Sequence, residues 1–241
     1  MNQTTTRTLH RAADRFHTDL GWLDSRHSFS FGQHRDPANT SHGLLIVSND
    51  DRVGAGRGFG MHGHRDMEIV TWVLSGALEH RDSEGNHGVL RPGLAQRMSA
   101  GTGIQHSEMN ASATEPVHFV QMWVVPDAAG YEPGYEQRDV NNDLSSGELV
   151  PVISGRGHDG AVSINQPGAA MWVARLDPGA RVTIPDAPFV HVFVAHGSAV
   201  LGDELLAEGD ACRLTDAGTL ALRANDASEI IVWESAAEGT R

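Results

Sequence analysis

Two short stretches hold residues that could ligate a metal at a spacing suited to strands. In GFGMHGHRDMEIVTW, His62 and His64 are one residue apart and precede an apolar run containing Trp72. In a β-strand, residues i and i+2 point to the same face. The two imidazoles therefore share a side if a strand begins there, and Glu68 has the same parity. Downstream, AGTGIQHSEMN repeats the spacing with His106 and Glu108, just after the glycine turn Gly101–Gly103. Two strands facing each other across a barrel would deliver three imidazoles and one carboxylate to one point. That donor set suits a divalent first-row metal with one or two positions left open, and an open position separates a catalytic site from a closed structural one. Taken singly, a His-x-His at a strand entrance is more often surface polarity, and a His-x-Glu is weaker still. Their joint occurrence, each beside a glycine turn, favours the metal site.

Strand-length apolar runs recur along the chain to position such a site, among them GLLIVSND, MEIVTWVLSG, VHFVQMWVV, AAMWVARL, VHVFVAHG and EIIVWES. Turn-rich pieces such as SEGN, RPG and DPGA separate them, so the pattern predicts an all-β sandwich or barrel. A short helix is expected within or around DLSSGELVPVI. The polar stretch from Pro126 to about Gly147 reads as a linker between a first domain (1–135) and a second (136–241). The halves also look like degenerate copies when Gly76 is set on Gly197 and Gly93 on Gly209. His62 and His64 then fall on Thr183 and Pro185, and His106 and Glu108 on Leu222 and Ala224. The second copy is thus expected to bind no metal and to support the first.

Composition narrows the function classes. The formal net charge of −13 disfavours direct contact with nucleic acid or an anionic membrane. All 18 basic residues are arginine, which excludes a lysine Schiff base. The one cysteine, Cys212, excludes an internal disulfide and a thiolate cluster and reads as a core residue. The N-terminal stretch has no apolar core of signal-peptide length and no window approaches a membrane span, so the cytoplasm is the expected location. His80, Asp82 and His87 flank the SEGN hairpin and are expected on a solvated turn. His118 either lines the pocket or packs, and His191 reads as a packed histidine.

The residues Gly56, His62, His64, Glu68 and Gly76 follow G-x5-H-x-H-x3-E and a later glycine. This resembles the first cupin motif, with one extra residue before the last glycine. PGLAQRMSAGTGIQHSEMN resembles the second cupin motif as the pirin family carries it, and GWLDSRHSFSFGQHRDP and YEQR resemble other pirin segments. The likeness is strong over Gly21–Arg138 and weak beyond. It implies a bicupin, two double-stranded β-helix barrels in one chain, with one divalent transition metal in the first. By that resemblance the ligands are His62, His64, His106 and Glu108, and the metal is typically Fe(II), with Ni, Mn, Co, Cu or Zn as alternatives. Ordinary cupins use the Glu68 position instead, so the two glutamates stand as rivals, with Glu108 preferred. Gly63 departs from the family, where proline is common between the histidines.

Several bacterial pirins are quercetin 2,3-dioxygenases. The resemblance therefore implies an enzyme that opens the ring of a small aromatic, flavonol-like substrate with O2 and releases carbon monoxide, with Glu108 as the base for the substrate hydroxyl. A different class of reading is a metal-bearing redox or regulatory protein that acts through a protein partner, with oxygenase activity incidental. A third is an oxygenase acting on another enolisable or phenolic compound. An apolar pocket beside the metal would favour the enzyme.

Overall fold

The computed structural model describes residues 6–238. In chain order the strands begin with β1 (Thr6–His10), β2 (Phe16–Asp19), β3 (Leu23–His27), β4 (Leu45–Val53), β5 (Gly58–His64) and β6 (Glu68–Ser75). They continue with β7 (Leu78–Asp82), β8 (His87–Leu90), β9 (Leu94–Ser99), β10 (Ile104–Asn110), β11 (Val117–Val124) and β12 (Gly134–Asp139). One helical turn, α1 (Asn141–Leu144), leads to β13 (Val150–Ser154), β14 (Val162–Ser163), β15 (Ala169–Leu176), β16 (Arg181–Ile184) and β17 (Phe189–His196). Then come β18 (Ser198–Leu201), β19 (Glu204–Ala207), β20 (Ala211–Thr215), β21 (Leu220–Ala224) and β22 (Ser228–Ser235). The expected helix is thus a single turn, and the VPVI part of its predicted span is strand.

These strands form two barrels, each a seven-stranded sheet packed on a four-stranded one. The first pairs β12-β9-β6-β11-β4-β3-β2 with β5-β10-β7-β8. The second pairs β1-β20-β17-β22-β15-β13-β14 with β16-β21-β18-β19. The two small sheets have the same order, offset by eleven strands, so the repeat read from the glycine turns is present in the topology. Along β11 the alternation is clear: Val120, Met122 and Val124 enter a core shared with Phe193, Met171 and Trp233 of the second half, and Phe119 enters the core of its own barrel. The two large sheets therefore pack face to face across an apolar layer, each with its other side turned into its own barrel.

Pro126–Gly147 joins the two halves but carries secondary structure of its own. Its residues 134–139 form β12, paired with β9 from Gly134↔Ser99 to Asp139↔Leu94, so a boundary at 135 falls inside a strand. Conversely, β1 from the N-terminal end pairs with β20 of the second barrel. Each barrel's large sheet is thus edged by a strand that sequence order alone assigns elsewhere. No helix among the described residues is long and apolar enough to cross a membrane.

Candidate metal centre

The two histidine stretches lie on adjacent strands of one sheet, not on strands facing across the barrel. β10 pairs antiparallel with β5, placing His106 opposite His62 and Ile104 opposite His64. Directly opposed side chains in such a pair have Cβ atoms about 4.5–5.5 Å apart, so neighbouring strands bring imidazoles together more closely than opposite walls would. The His62 and His106 rings are 4.4 Å apart, His62 and His64 4.9 Å, and His64 and His106 5.0 Å. One nitrogen from each of the three lies within 4.8 Å of the others.

A β-bulge follows directly: the register steps from His106↔His62 to Glu108↔Phe59, so β5 carries one extra residue. Bulges commonly re-aim a side chain near a site. Here the Gly60 carbonyl accepts a hydrogen bond from His62 Nδ1 at 2.7 Å, which fixes the tautomer and leaves Nε2 with a free lone pair. Gly58 lets the strands approach, since a Cβ there would sit 2.2 Å from the Glu108 carbonyl oxygen and 2.6 Å from Met109 Cα. We expect Gly58→Ala to part β5 from β10, lowering stability by about 1–3 kcal/mol and weakening metal uptake. Urea unfolding and metal analysis of the purified variant check this.

His106 is 1% exposed, and neither of its ring nitrogens has a hydrogen-bond partner among the described residues. A buried imidazole with both nitrogens unpaired is costly, and a metal ion satisfies one of them. The residues present therefore fit a single transition metal. Burial, reinforced by the neighbouring imidazoles, lowers the pKa of His64 to about 4 and of His106 to about 2, so both are in the neutral form that ligates.

These shifts also set a pH dependence. Between the ordinary value of 6.5 and the lowered values near 4, the unfolded chain binds more protons than the native one, so stability falls as pH falls. His10 and His42, lowered to about 4 chiefly by burial, act in the same window. The metal-free protein is expected to lose Tm steeply from pH 6.5 to pH 4, with a shallower slope in His42→Gln, as thermal melts across that range will show.

Glu108 lines the same cavity as His62 and His64, but the group whose ligand atoms lie within 4.8 Å of one another is the three histidines without it. Glu108 is 2% exposed, and its carboxylate accepts hydrogen bonds from Thr71 Oγ1 and Gln121 Nε2, while Gln121 Oε1 accepts one from Trp123 Nε1. Burial raises its pKa, against the pull of Gln121. Glu68 goes elsewhere. The chain turns at Asp66, φ +48°, between β5 and β6, which belong to different sheets, so shared parity with the histidines has no meaning there. Glu68 accepts hydrogen bonds from Ser99 Oγ at 2.8 Å and Asn165 Nδ2 at 3.1 Å, tying the first barrel to the second half.

The cavity encloses about 700 Å³ and is lined by Leu20, Trp22, Phe31, Phe59 and Trp123, with His62, His64 and Glu108 on its wall. Sequence reasoning missed several of its surroundings. His80 and Asp82 are buried rather than solvated: Asp82 pairs opposite His106 and His80 opposite Glu108, and His80 Nε2 lies 3.2 Å from Asp82 Oδ2. The His80 ring packs 5.4 Å from His106 and 4.8 Å from Tyr135, which lies on β12. The His80-x-Asp82 alternation carried this signal. His87 is exposed and bonds Glu79. His118 faces the inter-barrel side and bonds Asp50 rather than the cavity, while His191 and Cys212 are buried in the second half. Asp51, Ser25 and Asn49 also line the cavity.

In the second barrel β16 pairs with β21 through Val182↔Leu222 and Ile184↔Leu220. By register His62 and His64 therefore correspond to Val182 and Ile184, one residue from the positions expected, because three residues (65–67) join β5 to β6 and four (185–188) join β16 to β17. Val182, Ile184, Leu222 and Ala224 belong to an apolar core cluster.

Residues 8–124 match the family model described as Pirin, and residues 151–234 match that described as the Quercetinase C-terminal cupin domain. An Escherichia coli protein named quercetin 2,3-dioxygenase is 37% identical over 227 residues, covering 94% of this chain and 97% of its own. The chain belongs to the pirin family. Another pirin relative, from Mycobacterium tuberculosis and provisionally named quercetin 2,3-dioxygenase, is 58% identical over 233 residues, 96% of each chain. Among solved structures, the bacterial pirin YhhW of Escherichia coli in complex with nickel(II) superposes with a TM-score of 0.88 at 34% identity, over 97% of this chain and all of that one. The pirin fold accounts for both barrels of the present chain.

Proposed function

We propose that this protein is a metal-dependent dioxygenase that opens the ring of a flavonol-like substrate with O2. The observation that carries this reading is the group of three imidazoles, two of them on the wall of an open, largely aromatic and aliphatic cavity of about 700 Å³. Such a cavity suits a flat aromatic molecule of a few rings, and it favours an enzyme over a regulatory protein that acts only through a partner surface. His62, His64 and His106 hold one metal, Fe(II) in our reading, with Glu108 completing the set; the second barrel, apolar at the matching positions, holds none. When bound, the metal supplies Lewis acidity and a one-electron path between an ionised substrate and O2.

The chain's own residues do the rest. Trp22, Phe31, Phe59 and Trp123 supply the apolar walls against which the rings stack and from which water is displaced. Glu108 takes the substrate's hydroxyl proton onto a carboxylate oxygen, a role its raised pKa suits. Thr71 and Gln121 keep that carboxylate from swinging, and Trp123 in turn holds Gln121.

The reading is tested by incubating metal-reconstituted protein with quercetin in air and measuring oxygen consumed and carbon monoxide released. Equal amounts of both per quercetin lost are expected. Quercetin loss without carbon monoxide would point to another oxygenation, and no loss with any first-row metal would overturn the enzyme reading.

A further inference from the structure

Asp50 and Asp51 are consecutive residues of β4 and face opposite sides of the sheet. Asp50 is ion-paired, with Arg15 Nη1 at 3.2 Å and His118 Nε2 also in contact. Asp51 is turned to the cavity and is 3% exposed. Ser25 donates its hydroxyl proton to the Asp51 carboxylate, and among the described residues no ion pair reaches Asp51. A carboxylate buried without a cation is costly to keep. A hydrogen-bonded strap between β3 and β4 could be built from asparagine or serine at no such cost. The surroundings add to the cost: Glu108 on β10 and Asp50 on its own strand are both acidic, and Arg15 is already engaged by Asp50. Burial first, and these neighbouring carboxylates after it, push the Asp51 pKa up to about 7.

Ser25, His27, Asn49, Asp51 and Gln121 form a polar strip in an otherwise mostly apolar lining. In a cavity that takes flat aromatic molecules, such a strip reads the positions of polar substituents.

We propose that Asp51 is a specificity-determining residue whose carboxylate accepts a hydrogen bond from a phenolic hydroxyl of the bound molecule, distinct from the hydroxyl turned to the histidines. The preferred ligand is then a polyhydroxylated aromatic and not a flavonol bearing a single hydroxyl. The proposal rests on the dioxygenase reading for its ligand class, but its test needs no turnover.

The test is anaerobic equilibrium binding to the metal-loaded full chain. The probes are quercetin and 3-hydroxyflavone, which share one hydroxyl and differ in the others. Wild type is expected to bind quercetin about tenfold or more tightly than 3-hydroxyflavone, the scale of a hydrogen bond to a charged acceptor. Asp51→Leu should bring that ratio to within about twofold of unity, with metal content as in wild type. Asp51→Asn, which keeps an acceptor without the charge, should fall between. Ser25→Ala should keep the preference, because it breaks the strap and spares the carboxylate. Equal affinity for the two probes in wild type, an unchanged ratio in Asp51→Leu, or equal loss in Ser25→Ala and Asp51→Leu would each overturn the proposal; the last would reduce Asp51 to a strap. Absence of quercetin consumption in air would count against the dioxygenase reading alone, since the anaerobic binding ratio does not depend on it.

Discussion

Replacing His106 with alanine is expected to leave a folded protein that takes up no metal and consumes no quercetin. His106 lies directly opposite His62, its ring is within 5.0 Å of both other imidazoles, and it has no other hydrogen-bond partner among the described residues. Its contribution to the metal-free fold is therefore mainly packing, partly offset by removing two unpaired buried nitrogens. Stability without metal should change by no more than about 2 kcal/mol. Adding metal raises the Tm of wild type, because the ion binds the native state and not the unfolded chain. That rise should vanish in His106→Ala, and activity should fall by about 10³-fold or more. Melts with and without metal, beside elemental analysis, separate this outcome from simple misfolding. A variant that keeps both its metal and its Tm rise would remove the three-histidine site from the account.

The second large effect contrasts two buried glutamates. Glu108→Gln preserves shape and the Thr71 contact but removes the charge and the proton acceptor. Its kcat should drop by about 10²–10⁴-fold, the usual range for loss of a positioned base, with metal affinity reduced less than in His106→Ala. Glu68→Gln weakens the acceptor shared by Ser99 and Asn165, so it should cost about 1–2 kcal/mol of stability and leave kcat nearly unchanged. Rapid-reaction kinetics and denaturant unfolding read the two effects separately. Full loss of metal in Glu68→Gln with retention in Glu108→Gln would reverse the assignment.

The three-histidine group was legible in the sequence because its spacing is local: alternate residues on a strand place their side chains on one face whatever that strand pairs with. The all-β class was legible for the same reason, from runs and turns. Pairing is not local, and most corrections arise there. Nothing within GFGMHGH states that β5 lies beside β10, and only that pairing puts His62 opposite His106. The connection after the first strand of the small sheet is one residue longer in the second barrel, which shifts the counterpart of His62 from Thr183 to Val182, and an alignment anchored on the later glycines does not register it. β12 looks polar and follows directly on Pro133, as suits an edge strand, yet its Tyr135 reaches His80. Glu68 has the right parity and the wrong sheet. Asp51 was hidden differently: SNDD reads as a polar strand end until β4 is seen to run on through it, with Asp50 on one face and Asp51 on the other.

The central claim is that one metal, held by the first barrel alone, makes this chain an oxygenase. The most direct measurement is quercetin-dependent oxygen uptake by metal-free protein titrated with Fe(II) under controlled conditions. Uptake should rise in proportion to added metal and stop rising at about one ion per chain, with the ligand set of one cupin barrel filled. Uptake that continues to rise to two ions per chain, or no uptake at any ratio, would contradict that claim.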